Sequence, residues 1–312
     1  MPAITADTLT LPRISAPIGG HSRPVISVTT APSGHEGEGF PVRRAFAGVS
    51  REILDPFIHM DQMGEVNYAP YEPRGTDWHP HRGFETVTYM LEGHMEHRDH
   101  MGNVGQLMAG DVQWMKAGSG VIHSEMPKQV EGRMRGFQLW VNLPASEKMT
   151  PASYTELAAA SIPHYEIGGI HVKAIAGGLT LNGVSVSGPI GGLATEPGYL
   201  DIAVGPAQAL LVDVPEGHTA LVYVYEGALQ IGSDSYSIKA GNLARLSLTG
   251  ELVIETDADT RLLVISGKPI GEPIVQRGPF VMNTADEIHQ AIRDYTDGKL
   301  VAAQPSNASQ SA

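Results

Sequence analysis

At 312 residues the chain can bury one large core or two of ordinary size, and 36 glycines with 22 prolines favour short strands and tight turns over long helices. A formal net charge of -13 argues against sequence-independent binding to nucleic acid, since the one short basic cluster, Arg43 and Arg44, is too small to displace counterions. With no cysteine, any metal site must use nitrogen and oxygen; no apolar run approaches a membrane span and no secretory leader is visible, so a cytoplasmic protein is expected.

In chain order, residues 1–24 read as an irregular arm and 24–28 as a first strand. Residues 31–39 (APSGHEGEG) have the composition of a flexible loop. Strands are predicted at 42–46 and 54–61, where Pro56 demotes the second to an edge or a bent strand. Residues 64–76 form a polar connection able to lip a pocket. Strands follow at 84–91 (FETVTYML), 94–99, 105–108, 112–115, 121–126 and 134–143, with turn signals between them. That rhythm predicts an antiparallel sandwich or barrel. Residues 144–163 are the natural boundary, with a helix-capping signature at Ser153–Glu156 and an alanine run. Nine further strands are predicted between 170 and 265, then a helix over 287–295 capped by Asn283 or Thr284, and a polar, disordered tail at 304–312. The division expected is a first domain over 1–145, a linker over 146–162, a second domain over 163–300 and a tail over 301–312.

Seven of the 13 histidines lie between His59 and His123, which places the chemistry in the first half. His79 and His81 are spaced i, i+2, as are His123 and Glu125, so on a strand each pair shares a face. If the two strands lie side by side, three imidazoles and a carboxylate meet, a set suited to iron, nickel, copper, zinc or manganese. His94, His97 and His100 read as solvated polar residues rather than a second metal site, and His218 and His289 carry no role. His59 is read equally as a pocket-rim or a core residue. Phe57, Trp114, Met115, Phe137 and Trp140 are candidates for the pocket wall, although large apolar residues in strands more often fill a barrel.

A weak internal repeat supports two lobes: YMLEG at 89–93 matches YVYEG at 223–227, and AGDVQWM from Ala109 matches AGNLARL from Ala240. At the offsets of His79, His81 and His123 the second lobe has Asp213, Pro215 and Ile254, so one metal site is expected, not two.

The segments LDPFIHMDQM, HPHRGFETVTYMLEG, GDVQWM, AGSGVIHSEMP and GEPIVQRGPFVMNTADEI together resemble pirin and its bacterial relatives, a branch of the cupin superfamily. The resemblance implies an all-β protein of two cupin (jelly-roll) barrels with a short C-terminal helix, and one divalent metal in the first barrel. Iron is the metal it favours, with nickel, copper, cobalt, manganese or zinc as alternatives. The family's four ligands fall on His79, His81, His123 and Glu125. Many cupins ligate through the glutamate just after the first histidine pair, here Glu85; in pirin-like proteins the carboxylate comes from the second motif, which leaves Glu85 to orient a ligand or its neighbours from behind.

Three readings remain open from the resemblance. One is a flavonol 2,3-dioxygenase that cleaves quercetin-like aromatic substrates with O2 and releases carbon monoxide, Glu125 serving as ligand and general base. A second is a non-enzymatic, metal-bound regulator acting through a protein partner. Another cupin activity on a different small molecule is a third reading. None calls for direct contact with nucleic acid or membrane.

Overall fold

The computed structural model describes residues 22–301 apart from 38, 71, 73, 129–130 and 233–235. The arm over residues 1–21 and the tail beyond 301 lie outside the described residues.

Two antiparallel β-sandwich barrels follow one another. The strands are β1 (Val25–Thr30), β2 (Ser33–Glu36), β3 (Phe40–Arg44), β4 (Phe57–Tyr68), β5 (Thr76–His81), β6 (Phe84–Glu92), β7 (Met95–Asp99), β8 (Val104–Leu107), β9 (Val112–Lys116), β10 (Val121–Pro127), β11 (Gly132–Asn142) and β12 (Ser153–Leu157). The first barrel packs a seven-stranded sheet, in the order β12-β9-β6-β11-β4-β3-β2, against a four-stranded sheet, β5-β10-β7-β8. Strands from His164 to Gly267, with β1, build a seven-stranded and a six-stranded sheet in the second. One 12-residue helix, α1 (Ala285–Thr296), starts with a reciprocal cap between Thr284 and Glu287, which satisfies two orphan N–H groups.

Three elements depart from the expected division. β1 pairs with Asn242–Leu246 in the second barrel, not the first. The segment 31–39 is not a loop: β2 and β3 form a hairpin on the edge of the first barrel's sheet. The boundary segment holds no α-helix; β12 pairs with β9, and only a 3-10 turn at Ala159–Ser161 follows. None of Ser153–Leu157 is fully buried, as suits a strand at the sheet edge, and this pairing won over the capping signal. β4 is a 12-residue interior strand, and Pro56 stands just ahead of it, where no ladder N–H is needed. Residues 64–68 of the expected connection over 64–76 belong to β4, but Gly75 and Thr76 do line the cavity described below.

The second barrel is filled by an apolar cluster that includes Leu181, Val212, Leu229 and Ile254. Ile254, at the offset of His123, is fully buried there. A second cluster spans the seam between barrels, joining Phe57, Val87, Tyr89, Trp114 and Phe137 to Tyr199, Tyr223, Leu263 and Ile265. Three of its polar tips are satisfied: the Tyr89 and Tyr225 hydroxyls each donate to Asp201 at 2.6 Å, and Tyr223 donates to Gln62 at 2.7 Å, while the Tyr199 hydroxyl is buried without a partner among the described residues. After the second barrel the chain returns to the first, where a hairpin (Val275–Arg277 and Phe280–Met282) and α1 pack with Ile122 and Leu300.

Candidate metal centre

β10 lies beside β5 with His123 opposite His79 and Val121 opposite His81, so the two motifs meet as their spacing predicts. The ligand nitrogens of His79, His81 and His123 all lie within 4.8 Å of one another. His79 and His81 bring their Nε2 atoms to 3.0 Å.

The far side of each ring is held by a separate partner. His79 Nδ1 donates to the Asp77 carbonyl at 2.7 Å, and His81 Nδ1 to the Pro279 carbonyl at 3.4 Å. A carbonyl only accepts, so these contacts put a proton on Nδ1, and in the neutral ring that leaves Nε2 with a bare lone pair. His123 Nδ1 lies 2.7 Å from His97 Nε2, and His123 Nε2 is buried without a partner among the described residues. Burial, then the neighbouring imidazoles, hold His81 and His123 well below the ordinary imidazole range, so both stay neutral. Facing lone pairs and an orphaned buried nitrogen are costly alone and fit a cation between them.

Glu125 stands apart from this trio. A register shift in β10 between His123 and Glu125 sets it opposite Thr76, and its carboxylate is not within the 4.8 Å cluster. Gln138 Nε2 donates to both of its oxygens at 2.9 Å and Thr88 Oγ1 to Oε1 at 3.2 Å. It lines the same cavity as His79 and His81, a space of about 690 Å³ that also meets Arg44, Ile58, His59, Asp61, Met63, Gln138 and Trp140.

Of the predicted wall residues, His59 and Trp140 are there, their rings 5.0 Å apart. Phe57, Trp114 and Phe137 are not: all three belong to the seam between barrels, and Met115 packs with Ala117 and Val121. Strand phase decides this. On β11, Gln138 and Trp140 face the cavity, so Phe137 faces the seam. On β4, an irregularity beside Ile58 adds a residue between the partners of Trp140 and Val141, which turns Phe57 away from the face of His59. Glu85 is corrected for the same reason. Phe84 reaches His81, and Thr88 reaches Glu125, so Glu85 faces the seam, where its carboxylate accepts from Trp114 Nε1 at 3.1 Å. It therefore stands on the strand face opposite the candidate ligands. Burial pushes its carboxyl up to about 7.

His97, read from the sequence as solvated, is 1% exposed and backs His123. Its environment depends on β12, whose Tyr154 ring sits 5.3 Å from it. The i, i+2 spacing of His97 to Asp99 on a strand next to β10 was the available signal, but it needed the pairing of Glu125 with His97 to be readable. The site is closed from below by the returning C-terminal segment. Arg82 donates to Asp294 at 2.7 Å, and buried Lys148 donates to the Gly83 and Val281 carbonyls and to Asn142.

Two stacked cupin barrels, one packed solid and one opened around three converging imidazoles, define a bicupin metal-binding protein. Comparison with known proteins agrees. The sequence model of the pirin family matches residues 39–141, and that of the pirin C-terminal cupin domain matches 199–301. The chain belongs to the pirin family. A Pseudomonas aeruginosa protein carrying the provisional name quercetin 2,3-dioxygenase is 48% identical over 280 residues, covering 89% of this chain and 98% of its own. A pirin-like protein of Caulobacter vibrioides is 40% identical, covering 89% and 99%. A crystal structure of a quercetin 2,3-dioxygenase from Acinetobacter baumannii superposes with a TM-score of 0.83 at 35% identity, covering 90% of this chain and 99% of that one.

Proposed function

We propose that this protein is an iron-dependent dioxygenase that opens the central ring of a flavonol-like substrate, consuming one O2 and releasing one carbon monoxide. The observation that carries the reading is the set of bare imidazole nitrogens at the wall of a cavity about 690 Å³ in volume, large enough for a small aromatic molecule. His79, His81 and His123 would hold the metal, with Glu125 as the fourth donor, and nickel, copper, cobalt, manganese or zinc are chemically compatible with that set. Bound there, the ion supplies Lewis acidity and the electron transfer that dioxygen chemistry requires.

The chain's own residues do the rest. Glu125 takes the proton of the flavonol's 3-hydroxyl at a carboxylate oxygen. Gln138 and Thr88 fix the plane of that carboxylate, so its remaining lone pairs need no reorientation. Ile58, Met63 and Trp140 give the cavity apolar walls that limit water around the deprotonated substrate. The reading takes the protein to be cytoplasmic and free of direct nucleic-acid contact, as its formal net charge of -13 favours. Among the described residues no helix is long and apolar enough to cross a membrane.

The test is aerobic incubation of iron-reconstituted protein with quercetin, following flavonol loss and carbon monoxide together. Turnover that disappears in His123→Ala supports the reading. Glu125→Gln should keep its metal while kcat falls roughly 100- to 10,000-fold, the range for loss of a general base. Full metal occupancy with no carbon monoxide would overturn the dioxygenase and favour a metal-bound regulator with a protein partner.

A further inference from the structure

The motif LDPFIHMDQM contributes two residues to the cavity, His59 and Asp61, that the proposed chemistry leaves unused. Asp61 is 3% exposed, yet its Oδ1 has no aligned donor among the described residues. His59 Nε2 approaches that oxygen to 3.1 Å but off the hydrogen-bonding direction. Arg44, the cross-strand neighbour of Asp61, is turned to Glu36 and to the His35 carbonyl. A buried carboxylate oxygen without a donor is expensive, and folded proteins keep such groups where a ligand answers them.

The register shows where the oxygen lies. Arg44 opposes Asp61, Asp61 opposes Gln138 and Gln138 opposes Thr88, so four polar side chains form one row across β3, β4, β11 and β6. Gln138 and Thr88 are the two groups that grip Glu125. Asp61 is therefore one strand beyond Gln138 on the same cavity face, roughly 5 Å along the sheet. In the adjacent row, Trp140 Nε1 is a buried donor that also lacks a partner. A hydroxyl can both donate to a carboxylate acceptor and accept from an indole donor, so it is the group that answers either residue of this wall.

We propose that Asp61, with Trp140 beside it, is a second hydroxyl-binding station that selects ligands carrying a hydroxyl at each end, one at Glu125 and one at Asp61. The substrate class is thus an aromatic polyol rather than a ring with a single enolic hydroxyl. Assigning Glu125 to the first hydroxyl rests on the proposed function; the second station stands on its own geometry.

The experiment measures Kd for iron-reconstituted wild type and Asp61→Asn with quercetin and with 3-hydroxyflavone, which lacks the outer hydroxyls. Wild type should prefer quercetin, and the ratio of the two Kd values should fall about tenfold in D61N. A general structural disturbance would move both affinities together. An unchanged ratio, or a wild type with no preference, overturns the proposal. The same plates carry 2,6-dihydroxynaphthalene and 2-naphthol. If wild type binds neither flavonol, the flavonol reading fails, and the naphthalene pair then decides: a preference for the diol that D61N loses sustains the station, and any other result overturns it.

Discussion

At the scale of single residues, the site depends on which nitrogen of each imidazole is engaged. His97 fixes His123 from behind, and a neutral side chain without an acceptor there would let the ring rotate or switch tautomer. His97→Leu should therefore weaken metal binding roughly 10- to 100-fold by metal competition, while His97→Gln, whose carbonyl can accept from Nδ1, should lose less. Equal affinities in wild type and H97L would remove His97 from the site. Glu85 makes a different prediction, in stability. Its folded-state carboxyl sits at about 7 against an ordinary 4.5, so the fold prefers the protonated form. That preference is fully present below about 4.5 and is lost as pH rises through about 7, where the buried charge costs up to roughly 3 kcal/mol. Glu85→Gln should match wild type near pH 4.5 and gain steadily to a plateau above pH 7 in urea melts. A difference that does not vary with pH would contradict this. The ligand histidines were legible because alternation on a strand is a local rule. The burial of His97 was not, because Tyr154 of β12, 57 residues further along the chain, packs on it.

At the scale of elements, phase matters more than composition. Phe57, Trp114 and Phe137 are the large apolar residues a sequence reader would place around a ligand, yet the register sends all three into the seam. A bulge such as that near Ile58 leaves no mark in the residue types, so the phase of β4 was not readable. The turn between β5 and β6 shows the same economy of space. Gly83 has φ +91, and a Cβ there would stand 1.9 Å from the Val281 carbonyl oxygen. The close approach lets Lys148 bond both the Gly83 and the Val281 carbonyls. Gly83→Ala should cost roughly 2–5 kcal/mol, combining left-handed strain with a backbone clash. Gly217→Ala is the control, since φ is +79 there but the space is open, and roughly 1–2 kcal/mol of strain is all it should show. Equal losses in the two variants would mean that the contact with Val281 is not what constrains this turn.

At the scale of the whole molecule, the sequence repeat reflects the two barrels, and Ile254 stands in the core of the second at the offset where the first has His123. It could not give the crossing of β1 into the second barrel, since strand exchange obeys the same alternation as strand pairing at home. Arg23, fully buried just ahead of β1, sends its guanidinium to the carbonyls of Val214, Pro215, His218, Ser247 and Gly250 and pins that crossing. With a shared seam core and both ends of the described chain lodged in the opposite barrel, the molecule should unfold in a single calorimetric transition. Two transitions, one for each barrel, would show that the seam is weaker than its burial suggests.

The return of the last segment to the first barrel also sets an order of events during synthesis. His79, His81 and His123 leave the ribosome long before Pro279, whose carbonyl fixes the His81 tautomer, and before Asp294, which holds Arg82. A nascent chain stopped ahead of the Val275–Arg277 strand carries His79, His81 and His123 but lacks the Pro279 carbonyl that orients His81. One of the three imidazoles therefore takes its final orientation only when nearly all of the polypeptide has been made.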